Sequence, residues 1–118
     1  MIRILFALLL LLGTAQAGEL KVSTWNLEWL TSNPEDLPDG TSPKPAAGIE
    51  ALRRYALLLD ADIIAIEEVD GPAIAAQVFP PDRYQIFMTH DRVKQRVGIV
   101  VRRGIAARQN GDLAALDL

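Results

Sequence analysis

The sequence contains no cysteine. That excludes disulfides, thiol catalysis, cysteine-based zinc sites and a lipid-modified thiol, so an exported protein of this kind must hold its fold by packing alone. It has one histidine, His90, which is all that exists for imidazole chemistry. It lacks a basic excess: 12 Lys and Arg stand against 15 Asp and Glu. The footprint of a DNA-coating protein is therefore missing, although a bound divalent cation can supply positive charge locally where an anionic substrate sits. No internal repeat and no low-complexity tract occurs.

Long apolar runs are also scarce. The one run of note, Ile4 to Leu12, follows Arg3 and precedes Gly13, Thr14 and the small-x-small triplet Ala15-Gln16-Ala17. A positive start, a short apolar stretch and a small-residue cleavage pattern predict a secretory signal peptide over residues 1–17, and with it a periplasmic or extracellular address. The stretch is too short for a membrane span, which takes roughly 20 apolar residues. A buried helix is the alternative reading of the same run. Cleavage after Ala17 removes Arg3 and no acid, leaving 11 basic residues against 15 acidic ones, a net −4. Half of the 118 residues are hydrophobic, which argues against disorder of the body, and the length admits one small domain, residues 18–118.

The pattern along that domain is mixed. Leu20 to Leu27 alternates, with Leu20, Val22, Thr24 and Asn26 on one face and Lys21, Ser23, Trp25 and Leu27 on the other, and predicts a strand. Four of the seven prolines fall between Asn33 and Pro45, with Asp39-Gly40 as a turn, so a long loop follows. Ala46 to Asp60 has helical spacing, with Ile49, Leu52, Ala56 and Leu59 on one face and a Glu50–Arg54 pair on the other. Asp62 to Val69 is a continuous apolar run, as in a strand covered on both faces. A short helix is expected over Gly71 to Phe79, then strands over Tyr84 to Thr89 and Val97 to Arg102 joined by a polar loop. A turn at Asn110-Gly111 precedes an irregular or helical end.

Strand, helix and strand at this spacing form a parallel crossover unit within an α/β (α+β) domain. Both parallel strands end at one edge of the sheet, so Asn26 and Glu68 become neighbours in space. Glu67, Glu68 and Asp70 gather where the apolar strand runs out, and acids there cost desolvation energy unless something offsets it. Mg²⁺ suits such a place, since it takes oxygen ligands, keeps several waters and needs only one or two carboxylates. An Asn amide beside it can orient a ligand without adding charge. On spacing alone, the same residues also describe solvated acids at a strand end.

Thr24-Trp25-Asn26-Leu27 resembles the first signature of the endonuclease/exonuclease/phosphatase family. Asp62-Ile63-Ile64-Ala65-Ile66-Glu67-Glu68-Val69 resembles its second, and Arg96-Val97-Gly98-Ile99-Val100-Val101-Arg102 its later glycine-containing strand. The similarity runs from about Lys21 to Arg103. It implies the N-terminal half of a DNase I-like two-layer β-sandwich with flanking helices, and metal-dependent hydrolysis of a phosphodiester substrate, nucleic acid among the possibilities. It also implies Glu68 as the carboxylate for Mg²⁺ (or Mn²⁺) and Asn26 as its companion in the catalytic site. Glu67 stands where the family commonly has Gln, and Asp70 has no counterpart role.

The family completes its site with a later His, an Asp-x-Asn pair and a terminal Asp-His pair, and nothing after Arg103 matches these. His90 precedes the glycine strand and reads as a loop residue. Arg92, Lys94 and Arg96 read as a solvated loop, and Trp25 and Trp29 as packing residues. The expectation is a truncated phosphodiesterase with little or no turnover of its own. The alternatives are a short exported binding module that keeps the fold signatures, and a structural periplasmic domain without a ligand.

Overall fold

The computed structural model describes residues 18–90 and 93–111. The segment read above as an export signal, Arg92 and the chain's last seven residues lie outside them. β1 (Val22–Leu30) leads through a loop with a 3₁₀ turn at Pro34–Asp36 into α1 (Ala46–Leu59). Then come β2 (Ile63–Val69), α2 (Pro72–Val78), β3 (Tyr84–Met88) and β4 (Arg96–Arg102). The strands form one mixed sheet in the order β1-β2-β4-β3. β1 and β2 are parallel, joined by the α1 crossover, while β4 runs antiparallel to both β2 and β3. The fold is thus mixed α/β. Among the described residues one sheet and two helices are present, and no second sheet.

Each element follows from its residues. α1 buries Ile49 and Ala56, with Leu52 and Leu59 packed at the margin of the core, as their spacing requires. Its polar face differs from expectation: Arg53, not Arg54, reaches Glu50 at 3.2 Å, because its Nε donates to the Gln77 carbonyl and swings it toward α2. α2 starts with Pro72 in its first turn, where no backbone donor is lost. At the chain's far end, the turn forms at Arg103-Gly104, where Gly104 takes a φ of 98°, rather than at Asn110-Gly111.

One face of the sheet carries the core. Leu27, Leu30, Ile64, Ile66, Val69 and Val100 meet Ile74, Ala75, Val78 and Phe79 from the helical side. Phe79 is the hub, edge-on to both Trp25 at 6.1 Å and Tyr84 at 5.7 Å between ring centroids. Gly98 sits in this layer between Ile66 and Met88. A Cβ there would lie 2.8 Å from the Phe87 carbonyl oxygen and 2.9 Å from Met88 Cγ, so the close approach of β3 to β4 admits glycine alone.

The opposite face is largely open. Thr24, Ala65, Ile99 and Phe87 form one row across the four strands. Val22, Val97 and Ile99 are 64%, 53% and 42% exposed. The chain after β4 turns back over part of this face: Gln85 donates to the Ile105 carbonyl at 2.9 Å and Gln109 to the Met88 carbonyl at 3.0 Å. Between that segment and the strands lies an apolar cleft of about 520 Å³.

Two outcomes are expected. Gly98→Ala should lower stability by about 1–3 kcal/mol through overpacking, read as a lower urea midpoint. The open face should bind a hydrophobic dye such as ANS in the folded state, and Val97→Lys with Ile99→Lys should abolish that signal without changing the far-ultraviolet spectrum.

Candidate functional site at the end of the parallel pair

The first four pairings of β1 with β2 are regular, Val22 with Ile63 through Trp25 with Ile66, and Asn26 then faces Glu67. Beyond Asn26 the ladder breaks and resumes only at Leu30 with Val69. The β2–β4 ladder breaks at the same height, between Ile66 and Val69. The irregularity therefore crosses the sheet where the acids begin. Its cause is visible in the backbone. Glu28, Trp29 and Glu68 all take left-handed conformations, with φ of 50°, 55° and 59°. Non-glycine residues held there cost on the order of 1–3 kcal/mol each.

Asn26 ties the break together. Its Nδ2 donates to Glu68 Oε1 at 2.9 Å, and its Oδ1 accepts from the Glu28 backbone N–H at 2.8 Å. One carboxamide thus spans the two strands and caps the bulge on its own strand. Lys44, on the loop ahead of α1, donates its ammonium to the Glu28 carbonyl at 2.7 Å, so both backbone groups of the strained residue are held. Three residues beyond Glu28, Thr31 is buried; its hydroxyl donates to Asp70 at 3.2 Å and accepts from the Asn33 N–H at 3.0 Å. The Asp70 N–H closes the rim by donating to the Leu30 carbonyl at 3.0 Å. Asp70 is accordingly a structural acceptor.

The two residues singled out by sequence, Asn26 and Glu68, are in direct contact. Glu67 is exposed on the neighbouring position and pairs in register with Asn26. Lys94 docks on the 3₁₀ turn, 3.3 Å from Asp36, which makes it a loop fastener. Arg96 continues the ladder opposite Val69 and lies against Gly71, its Nε shielded from solvent. Sequence reasoning missed Lys44, although its place between Pro43 and Pro45 marks a stiffened, extended segment that could aim a side chain. It also missed the position of Trp29. Strand alternation puts Trp29 in the core after Trp25 and Leu27; the bulge gives that place to Leu30, which is fully buried, and leaves Trp29 lining a cleft.

That cleft, of about 480 Å³, opens beside Glu68. Trp29, Leu37 and Pro38 supply its apolar lining, and Thr41, Ser42, Lys44 and a second acid, Glu28, its polar lining with Glu68. A divalent cation fits the donor set in one way only. Among the described residues no group of three or more His, Cys, Asp or Glu converges, so a closed protein cage is not formed. Glu68 offers one carboxylate with an oxygen left over after the Asn26 contact, and Asn26 Oδ1 keeps a second lone pair. One carboxylate, one amide and several waters is a set that Mg²⁺ accepts and that leaves room for a phosphate oxygen.

Fold and rim together define a mixed α/β domain that presents a carboxylate–amide pair at the carboxyl end of two parallel strands. No family model matches the chain, and neither does any curated protein or solved structure.

Removing the tie should be costly. Asn26→Ala is expected to destabilise the domain by about 1–3 kcal/mol, since two hydrogen bonds worth about 1 kcal/mol each go and the bulge loses its support. Lys44→Met should cost less, about 0.5–1.5 kcal/mol. Chemical denaturation midpoints equal to that of the parent would contradict the role given to either side chain.

Proposed function

We propose that the chain carries the first half of a divalent-metal phosphodiesterase site of the endonuclease/exonuclease/phosphatase type. Glu68 is its metal carboxylate and Asn26 the residue that aims it. The observation that carries this reading is the 2.9 Å contact between two side chains 42 positions apart, at the edge where a crossover unit delivers both. The strain at Glu68 and Glu28 supports it, because left-handed backbone at non-glycine residues persists where the surroundings over-determine it, and such places cluster at functional sites.

Mg²⁺ or Mn²⁺ bound at Glu68 would stabilise charge on phosphate oxygens as a Lewis acid. The chain's own residues do the rest of what is available. Asn26 fixes the carboxylate's rotamer and removes one of its lone pairs from competition. Lys44 locks the loop that walls the site. Hydrolysis further needs a general base within hydrogen-bond reach of the attacking water. His90 leaves β3 at the same rim, but β4 stands between β3 and β2, which puts it about 10 Å across the sheet from Glu68. His90 is therefore not assigned as that base. This placement favours, as a second reading, an exported module that holds metal and phosphodiester without cleaving it. No helix among the described residues is long and apolar enough to cross a membrane, and the export itself rests on residues 1–17.

Calorimetric titration with Mn²⁺ tests the site. Glu68→Gln should weaken binding by at least about tenfold, equivalent to about 1.4 kcal/mol, and Asn26→Ala by less. Unchanged affinity in Glu68→Gln would remove the metal assignment. EDTA-sensitive release of nitrophenol from bis(4-nitrophenyl) phosphate would decide for the enzyme; binding without release decides for the module.

A further inference from the structure

The position of Trp29 departs from strand alternation. Regular pairing would have carried it into the core, where an indole buries 150–250 Å². Instead a left-handed backbone leaves it half-buried, Leu30 takes the fully buried place, and the indole lines a cleft beside Glu68. The fold thereby accepts backbone strain at the point where an aromatic ring lines the cleft beside the carboxylate. Lys44, across the same cleft, holds the twisted segment by the Glu28 carbonyl and has two further N–H groups. Ser42 adds a hydroxyl to the lining, and Thr41, whose hydroxyl donates to the Pro38 carbonyl at 2.6 Å, adds an acceptor.

We infer that this cleft is a nucleotide subsite, in which Trp29 stacks one unpaired nucleobase while Lys44 and the hydroxyls face its sugar-phosphate. The inference rests on the metal-phosphodiester reading of Glu68 and narrows the substrate class to single-stranded nucleic acid. The chemistry matches on three counts. The lining holds one aromatic ring, Trp29, beside Leu37 and Pro38, enough to stack one base and too little for a duplex. Base–aromatic stacking works with any of the four bases and contributes about 1–3 kcal/mol. Lys44 and the Ser42 hydroxyl can donate to a phosphate and Thr41 can accept from a sugar hydroxyl, with a divalent ion offsetting Glu28 and Glu68, whereas a lipid diester would leave these polar groups facing acyl chains.

Two phosphodiesters separate the possibilities: dithymidine monophosphate, which carries bases, and glycerophosphocholine, which carries no ring. Each is titrated against the chain with Mg²⁺ present, following tryptophan fluorescence and calorimetric heat. The dinucleotide should quench fluorescence and bind at least about fivefold more tightly than glycerophosphocholine. Trp29→Leu should weaken the dinucleotide by about 5- to 100-fold, leave glycerophosphocholine and Mg²⁺ binding unchanged, and keep the parent's circular dichroism. Trp29→Phe should recover most of the loss. Equal affinity for the two diesters, no dinucleotide binding, or a Trp29→Leu variant that binds the dinucleotide like the parent would overturn the inference. Glu68→Gln run in parallel keeps the two readings apart. If it leaves Mg²⁺ affinity intact while the Trp29 effect stands, the metal site falls and the base platform holds.

Discussion

The Asn26 carboxamide is the constraint on which the rim depends. Its nitrogen serves Glu68 on the next strand and its oxygen serves the N–H of Glu28 on its own. No aspartate could do both, because an ionised carboxylate has no donor for Glu68, and no alanine could do either. The contact exists only because β1 and β2 are parallel and in a register that sets Trp25 opposite Ile66. An antiparallel pair would send the ends of the two strands to opposite edges. The α1 crossover, and the apolar stripe that docks it, are thus preconditions of a polar contact to which they lend no atom.

The same contact explains why the sheet breaks where it does. Three left-handed residues in one small rim would together cost several kcal/mol if nothing held them. Both backbone groups of Glu28 are held, one by Asn26 and one by Lys44, and the strands re-engage just beyond through Leu30 and Val69, both fully buried. Burial on the far side of the bulge anchors it, and hydrogen bonds on the near side shape it. The outcome is a strand whose last apolar residue is in the core while the indole beside it is turned to a cleft. Folding and site-building pull the chain in different directions over Glu28 to Leu30, and the structure resolves the conflict in two residues.

Much of the architecture was legible because it depends on periodicity. Helical spacing in α1, the continuous apolar run of β2 and the glycine within β4 each have one dominant physical meaning, and the elements formed where those patterns lay. The neighbourhood of Asn26 and Glu68 was legible for a topological reason, since a crossover unit fixes which ends meet. What the pattern hid was every departure from regularity. A bulge resets alternation by one residue, and no composition rule announces it when the residues are Glu and Trp rather than Gly or Asn. The exchange of Trp29 for Leu30 followed from that reset. Arg53 took the partner expected of Arg54 because a carbonyl on α2, invisible to helix spacing, lay within its reach. The part-buried Thr31–Asp70 pair was hidden for a similar reason: it joins residues whose adjacency begins only after the ladder resumes.

The charge at the rim settles how its parts must cooperate. Glu68 is an acid in a domain that is already acidic, and by itself it repels a phosphodiester. Lys44, the one cation lining the cleft among the described residues, is already committed through one N–H to the backbone, and at that exposed contact its remaining charge is screened by solvent. Affinity for a phosphate at Glu68 is therefore conditional on a second cation, and a base platform beside the carboxylate makes physical sense under that condition. Stacking is insensitive to charge, so under the proposed reading Trp29 would retain a nucleotide close to Glu68 whether or not its phosphate has been neutralised. A divalent ion at that carboxylate would reverse the repulsion, and a molecule held by its base would then meet the ion without a separate encounter. On this view the strain stored at Glu28 and Trp29 sets the distance between a ring that binds and an acid that binds only with help.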